Sequence, residues 1–221
     1  MGNPAPVLAL FDMDRTLVRV NTAGLYFRAR VRAGQISKRD ALRIAGIHLG
    51  YQLSVVDMPA LIALAVQAAR GMAEAEMIAF CQALYSQQVQ GQICPHARQT
   101  LENHRQQGHV LALVTASTPY LAAPLAQALG IAHVLCTEMA VQDGVFTGEL
   151  LRPPCFGLAK VQRAEELAAE HETTLSNAWF YTDSYSDAPL LQVVGHPQVV
   201  RPDPRLRWLA WRQNWPVLQW Q

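Results

Sequence analysis

Five short runs of consecutive apolar residues, rich in valine, leucine and aromatic side chains, are spread along the chain. Continuous apolar runs of this length, without polar alternation, are typical of strands buried on both faces of a parallel sheet. We therefore predict one largely parallel sheet. The runs cover residues 7–11, 110–114, 134–137, 178–181 and 198–200.

Segments with helical character lie between these runs, so strands and helices alternate along the chain. Such alternation is typical of a doubly wound α/β fold. The alternation is broken at residues 142–150, where Asp143-Gly144 between apolar neighbours favours a tight hairpin. We predict an α/β fold with a doubly wound parallel sheet and a small β-ribbon. The predicted helices cover residues 95–107, 119–129, 159–171 and 188–194.

Residues 18–90 contain no strand-like run but show helical patterns. We predict that they form a helical cap domain inserted after the first strand, with residues 1–17 and 91–221 forming the core domain. One pattern places several apolar side chains on a single helix face. These side chains belong to Leu61, Leu64, Ala65 and Ala68.

The most apolar stretches of this insertion are residues 44–56 and 58–69. Each is too short to cross the ~30 Å hydrocarbon layer of a bilayer. We interpret them as buried cap helices, with a role at a membrane surface as the alternative. Residues 208–221 hold four of the five tryptophans. We predict a terminal helix and strand that pack these rings on the core, with anchoring at a membrane interface as the alternative.

Composition narrows the classes of function. A chain of 221 residues that is 51% hydrophobic is long enough to bury a sizeable core. Its net charge of +1 argues against a nucleic-acid-binding protein, because such domains carry a strong basic excess. The four cysteines form no C-x-x-C pair, and no basic, then apolar, signal segment opens the chain. We predict a cytoplasmic protein.

Four carboxylates follow two of the predicted strands. Asp12 and Asp14 come after the first strand, and Asp183 and Asp187 come after the fourth. Open α/β sheets bind ligands at the carboxyl ends of their strands, so neighbouring strands would bring the four acids together. Crowded carboxylates repel one another unless a cation neutralises them. Oxygen ligands alone suit Mg²⁺.

Two further positions fit a site for phosphate. Thr115 directly follows the second predicted strand, and its hydroxyl together with the backbone N–H groups of Ala116 and Ser117 could hold phosphate oxygens near the next helix. Lys160 lies just inside a predicted helix and is one of only two lysines in the chain. Its ammonium would balance the charges of a carboxylate and a phosphate.

These motifs, in this order, resemble those of the haloacid dehalogenase superfamily, and the helical insertion resembles the cap of its phosphoserine-phosphatase-like subfamily. The resemblance lies in Asp12-Met13-Asp14-Arg15-Thr16-Leu17, Thr115, Lys160 and Asp183-Ser184-Tyr185-Ser186-Asp187. It implies a phosphatase that acts in two steps through an aspartyl-phosphate on Asp12, with Asp14 as general acid and then general base. It also implies that Thr115 and Lys160 hold the phosphoryl oxygens.

The resemblance further implies Mg²⁺ as cofactor. The ion would be held by Asp12, the backbone carbonyl of Asp14 and Asp183, with Asp187 as an orienting or water-mediated ligand. The predicted partner is a small phosphorylated substrate, with no nucleic acid and an unspecified oligomeric state. The residues predicted to bind that substrate are Arg15, Thr16, Asn21, Ala116, Ser117 and Ser184.

Two positions depart from the subfamily's pattern. Asn21 stands where the subfamily has a glutamate able to face an ammonium group, and Ser186 stands where it has asparagine. A neutral Asn21 loses the charge attraction to an amino group. The substrate class therefore stays open between phosphoserine or another amino-alcohol phosphate and a lipid phosphate. A catalytically weak, phosphate-binding regulatory relative is a further alternative.

Basic residues crowd the segment 15–43, which has Asp40 as its one acid. We interpret this segment either as a solvated helix face or as a basic cap surface that attracts anionic substrates, including lipid phosphates. The basic residues are Arg15, Arg19, Arg28, Arg30, Arg32, Lys38, Arg39 and Arg43.

Overall fold

A computed structural model describes residues 6–35 and 58–220. Its strands are β1 (Leu8–Phe11), β2 (Val110–Val114), β3 (His133–Leu135), β4 (Met139–Gln142), β5 (Val145–Leu150), β6 (Trp179–Thr182), β7 (His196–Val200) and β8 (Val217–Leu218). Six of them form a parallel sheet in the order β3-β2-β1-β6-β7-β8, and β4 and β5 form a separate antiparallel ribbon. The predicted sheet and ribbon are both confirmed.

Helices connect the strands. In the described ranges they are α1 (Thr22–Arg32), α2 (Met58–Ala68), α3 (Glu74–Leu84), α4 (Pro95–Gln106), α5 (Pro119–Leu129), α6 (Leu158–Glu170), α7 (Ala188–Leu191) and α8 (Pro204–Gln213). A π-helical turn, Tyr85–Val89, and a 3-10 turn, Gln90–Gln92, join α3 to α4. Helices α4, α5 and α6 agree with the predicted ones, whereas α7 ends at Leu191 instead of continuing to residue 194.

The central strand β1 is apolar throughout because both of its faces are buried. Leu8 and Leu10 belong to the hydrophobic core on one side of the sheet, and Ala9 and Phe11 belong to the core on the other side. All four residues have no solvent exposure. This two-sided burial explains the continuous apolar run, and it leaves polar residues only where the strand ends.

A third apolar cluster holds the β4-β5 ribbon against helices α2 and α3. Met77 of α3 packs there with Met139 and Phe146 of the ribbon. The backbone N–H of Gly71 also donates a hydrogen bond of 2.9 Å to the Phe146 carbonyl. The ribbon thus contacts the inserted helices, and the domain boundaries at residues 17 and 90 stay a prediction.

The expected burial of the cap helices is only partly correct for α2. Val66 is buried, whereas Leu64 is 44% exposed. The predicted apolar face therefore lies one to two residues away from the buried one. The other expected cap helix, residues 44–56, lies outside the described residues.

Arg30 does not belong to a basic surface. It is 2% exposed, forms an ion pair of 2.9 Å with Glu76, and stacks 4.3 Å from the centre of the Phe80 ring. These contacts tie α1 to α3. Arg15, Arg19, Arg28 and Arg32 are exposed, whereas Lys38, Arg39 and Arg43 lie outside the described residues.

The tryptophan-rich end of the chain forms the predicted helix and strand, α8 and β8. Trp220 is buried and stacks on Tyr181 at a distance of 5.6 Å between ring centroids. Trp208 and Trp211, however, are 54% and 77% exposed. The expectation that the rings pack on the core is correct for Trp220 and wrong for these two, because they lie on the outer face of α8.

Among the described helices, none has both the length and the apolar character needed to span a bilayer. All four cysteines fall within the described ranges, where they are buried and form no disulfide. The cytoplasmic location stays a prediction.

Candidate active site

The first acidic loop, residues 12–17 after β1, meets the second, residues 183–187 after β6, because these two strands are neighbours in the sheet. Asp12 directly follows β1, and Asp183 directly follows β6. The backbone N–H of Asp12 donates a hydrogen bond of 2.9 Å to the carbonyl of Tyr181, which extends the pairing of the two strands to their ends. The predicted convergence of the acids at the carboxyl edge of the sheet is thus observed.

Lys160 joins the two loops. It lies in the first turn of α6, and its Nζ donates a hydrogen bond of 2.7 Å to Oδ1 of Asp12. The same Nζ lies 2.9 Å from the Asp187 carboxylate. Burial alone would lower the pKa of Lys160, but the two carboxylates outweigh it and raise that pKa. The ammonium therefore stays charged between two acids.

Asp187 is held on one side and unsatisfied on the other. Its Oδ2 accepts hydrogen bonds from Lys160 and, at 2.6 Å, from the hydroxyl of Thr182. Its Oδ1 is buried and accepts no hydrogen bond with proper geometry from the described residues, although Lys160 Nζ is 2.9 Å away. An oxygen in this state can accept a further donor or a cation.

Asp12 and Asp183 are deeply buried for carboxyl groups. Burial raises the pKa of Asp12 to about 7, against the opposing effect of Lys160. Burial, reinforced by the charges of Asp12 and Asp187, raises the pKa of Asp183 to about 8. One lysine does not neutralise this group of acids. An added cation would favour their ionised forms.

Asp14 is oriented by helix α1 instead of by the other acids. Its Oδ1 accepts a hydrogen bond of 2.9 Å from the backbone N–H of Thr22, the first residue of that helix. Burial raises the pKa of Asp14, and the bond from Thr22 opposes the rise. The inserted region after β1 therefore reaches into the site through a helix N-terminus, where a carboxylate is favoured.

The loop after β2 lies beside this helix end. Thr115 is buried, and its Oγ1 accepts a hydrogen bond of 3.1 Å from the backbone N–H of Ser117. The hydroxyls of Ser117 and Thr22 lie 3.4 Å apart. The Ala116 carbonyl accepts a hydrogen bond of 2.7 Å from the Thr137 hydroxyl, which ties the loop to the segment after β3.

Of the other residues predicted to bind substrate, three make hydrogen-bond contacts within the protein and a fourth is exposed. The hydroxyl of Thr16, which has no solvent exposure, points at Oδ1 of Asp183 from 3.5 Å. Asn21 caps α1, because its Oδ1 accepts a hydrogen bond of 2.7 Å from the backbone N–H of Gly24. The hydroxyl of Ser184 lies 2.9 Å from that of Ser186. Arg15 is exposed, with its backbone in the left-handed region at φ 57°.

Sequence reasoning missed several residues that hold the site together. Thr182 could have been found, since a hydroxyl residue at a strand end just before Asp183 is well placed to bond a neighbouring carboxylate. Asp203 also left a signal, because Asp followed by Pro at the start of a helical segment is a typical N-cap. Thr22 and Arg201 left none, since neither belongs to a recognisable motif.

Residues 9–192 match the model of the haloacid dehalogenase-like hydrolases. The chain belongs to this family. The match includes all four acids, Thr115 and Lys160, so the resemblance inferred from the motifs is confirmed at the level of the family.

Relatives of this haloacid dehalogenase-like hydrolase are named as phosphatases. A probable phosphatase of Mycobacterium tuberculosis is 30% identical over 98% of this chain and 77% of its own length. A phosphoserine phosphatase of the same organism is 32% identical over 95% of this chain and 69% of its own length. A histidinol-phosphatase of Neisseria meningitidis is 24% identical over 97% of this chain and 99% of its own length. The predicted enzyme class, a phosphatase of this superfamily, is confirmed.

Solved structures agree on the fold of the hydrolase. A protein of unknown function from Bordetella pertussis superposes with a TM-score of 0.89, at 26% identity, over 97% of this chain and 99% of that one. A phosphoserine phosphatase bearing an analogue of a phospho-aspartyl intermediate superposes with a TM-score of 0.69, at 17% identity, over 96% and 92%. At that identity the second likeness concerns the fold alone.

Proposed function

We propose that this protein is a Mg²⁺-dependent phosphomonoesterase that acts through an aspartyl-phosphate on Asp12. The observation that carries the proposal is the buried Lys160 ammonium between the Asp12 and Asp187 carboxylates at the carboxyl edge of the sheet. A nucleophile held by a fixed cation at a strand end can attack an anionic phosphate with less repulsion.

The first step transfers the phosphoryl group. An Asp12 carboxylate oxygen bonds to phosphorus while the bond from phosphorus to the ester oxygen breaks. Asp14 gives its proton to the leaving oxygen, and Lys160 and Thr115 hold the phosphoryl oxygens. Burial raises the pKa of Asp14 above the ordinary value of an aspartate, which favours its role as a proton donor.

The second step regenerates Asp12. Ionised Asp14 takes a proton from water, the water oxygen bonds to phosphorus, and the bond between phosphorus and the Asp12 oxygen breaks. Inorganic phosphate then leaves. Thr22 keeps Asp14 in place through both steps, because its backbone N–H holds one carboxylate oxygen.

The residues present fit Mg²⁺. The donors are all oxygen, the pKa values of Asp12 and Asp183 are raised by burial, and Asp187 Oδ1 lacks a hydrogen-bond donor among the described residues. No three His, Cys, Asp or Glu side chains within residues 6–35 and 58–220 already form a ligand set. The proposed ligands are the carboxylates of Asp12 and Asp183 and the backbone carbonyl of Asp14. Three protein ligands are enough, because Mg²⁺ usually keeps several bound waters and also binds phosphate oxygens of the substrate. When bound, the ion would screen the repulsion between nucleophile and phosphate.

We further propose a small amino-alcohol phosphate as the substrate. Two relatives carry names, phosphoserine phosphatase and histidinol-phosphatase, that each denote a phosphate ester beside an amino group. Asn21 is uncharged and so supplies no negative charge for that amino group. Its side-chain oxygen already accepts the bond that caps α1. We therefore expect phosphoserine and histidinol phosphate to be discriminated by other residues. A panel of both, with the lipid monoester lysophosphatidate and an aryl phosphate, tests this class.

The nucleophile is tested with Asp12→Asn. The amide is a poor nucleophile and a poor metal ligand, so we expect turnover of an aryl phosphate to fall by at least about 1000-fold while the protein stays folded. Asp143→Asn is the matched control, because Asp143 lies in the exposed turn of the β-ribbon and asparagine tolerates its left-handed backbone. Turnover by purified Asp12→Asn at the level of the control would refute the mechanism.

The metal requirement is tested by removing and restoring Mg²⁺. We expect EDTA to abolish turnover and added Mg²⁺ to restore it. We expect Asp183→Asn to weaken Mg²⁺ binding, measured by calorimetry, by at least about 10- to 100-fold. Loss of a residue that only supports a metal ligand already weakens binding by that factor. Full turnover in EDTA, or unchanged Mg²⁺ affinity in Asp183→Asn, would contradict the proposed metal site.

A further inference from the structure

The turn between β7 and α8 contacts both acidic loops. It consists of residues 201–203 and follows the strand that lies beside β6 in the sheet. Neither of its polar residues, Arg201 and Asp203, belongs to the motifs that define the catalytic acids. Each of them bonds to a different acidic loop.

Arg201 holds the first acidic loop. Its Nη2 donates hydrogen bonds to two consecutive carbonyls, those of Arg15 at 2.5 Å and Thr16 at 3.1 Å. Its Nε is buried and has no acceptor among the described residues. The contact with this loop therefore removes part of the guanidinium from water. The Thr16 hydroxyl in turn lies 3.5 Å from the Asp183 carboxylate.

Asp203 holds the second acidic loop. Its backbone N–H donates a bond of 2.9 Å to the carbonyl of Asp183, and its Oδ2 accepts one of 2.7 Å from the backbone N–H of Tyr185. Its other oxygen accepts from the backbone N–H of Leu206 at 2.8 Å and so caps α8. The second loop is thereby fixed to the start of a helix.

The backbone is strained where the turn meets the first loop. Arg15 has φ 57° and Arg201 has φ 44°, a left-handed region that non-glycine residues seldom adopt. Such conformations persist only when surrounding contacts hold them, and they cluster at functional sites. Because Arg15 directly follows Asp14, its φ helps to set the direction of the Asp14 carbonyl, one of the proposed Mg²⁺ ligands.

We propose that residues 201–203 act as a clamp that positions the two acidic loops relative to each other. Arg201 fixes the carbonyls after Asp14, and Asp203 fixes the backbone at Asp183. Both are positioning residues, since neither bonds to a catalytic carboxylate. The inference rests on the proposed function insofar as the clamped groups bind Mg²⁺ and act on phosphate.

Arg201→Ala tests the clamp, and Arg207→Ala on the exposed face of α8 is the matched control. We expect Arg201→Ala to accelerate hydrogen–deuterium exchange in the peptide that contains residues 12–17. We also expect it to weaken calorimetric Mg²⁺ binding and to lower kcat for an aryl phosphate, each by about 10- to 100-fold. Millimolar guanidinium should restore part of the lost kcat, which would not follow from a loss of stability alone.

The outcomes separate this inference from the proposed function. Unchanged exchange over residues 12–17, or faster exchange with unchanged Mg²⁺ affinity and kcat, would overturn the clamp. A wild-type protein that neither binds Mg²⁺ nor hydrolyses any phosphate ester would refute the proposed function. In that case the exchange experiment would still decide whether Arg201 holds the loop.

Discussion

His104 is a buried titratable residue outside the catalytic site. It is 4% exposed, its Nδ1 lies 2.7 Å from Nδ1 of His109, and its Nε2 lies 2.9 Å from the hydroxyl of Tyr181. Phe11 and Trp179 pack edge-on against its ring. Burial, with a smaller effect of His109, lowers the pKa of His104 to about 4.

This shift makes the stability of the protein depend on pH. Below the unfolded pKa of about 6.5, the unfolded chain binds a proton at His104 that the native state does not, so stability falls as pH falls from 6.5 toward 4. We expect wild type to lose about 2 kcal/mol more than His104→Gln between pH 7 and pH 4.5. Urea unfolding at both values measures this difference. Equal losses in the two proteins would show that His104 does not remain neutral in the native state.

Helix α1 begins at a residue, Asn21, that was predicted to bind substrate and that also has a structural role. The sequence predicted Asn21 as a substrate contact because the related position in the subfamily carries a glutamate. Its side chain instead accepts a hydrogen bond from Gly24, and the next residue, Thr22, holds Asp14. The N-cap of α1 and the position of Asp14 therefore depend on the same helical turn.

We expect Asn21→Ala to lower the free energy of unfolding by about 1 kcal/mol, the usual cost of losing an N-cap. Because Asp14 bonds to that turn, kcat/KM should fall by a similar factor for phosphoserine, histidinol phosphate and an aryl phosphate. Asn21→Ser is the control, since serine caps about equally well without adding a charge. Unequal changes across the three substrates would instead support a role of Asn21 in substrate recognition, as the sequence predicted.

Elements with strong local patterns could be predicted from the sequence. The apolar runs identified the central strands because those strands are buried on both faces, and Asp143-Gly144 identified the ribbon. Helix α2 was found, but its buried face was misplaced, since its packing partners Met139 and Phe146 lie far along the chain. The spacing of apolar residues in α2 does not show which face of the helix packs against such distant residues.

The site was predicted in the same uneven way. Asp12, Asp14, Asp183, Asp187 and Lys160 stood out because each belongs to a motif at a strand end or helix start. The residues that orient them did not, because their hydrogen bonds join positions far apart in the chain. Arg201 and Arg15, for example, are 186 residues apart. No local pattern encodes such a contact.

At the scale of the whole molecule, the sheet joins distant parts of the chain. Strand β1 pairs on one side with β2, where Leu8 lies opposite Val110. On its other side it pairs with β6, where Ala9 lies opposite Trp179. Asp12, at the end of β1, therefore bonds to Lys160 and Tyr181, both of which come far later in the chain.

This connectivity sets the order of events while the chain is being made. At 5–20 residues per second, β1 waits for about 5–20 s before its first partner strand has been synthesised, and longer for β6. During that time the apolar segment Leu8–Phe11 has no native sheet neighbour and needs shielding from other nascent chains. Asp12 likewise has no Lys160 beside it until a further 148 residues have been synthesised. The candidate site is therefore assembled only after all of the residues that form it have been synthesised.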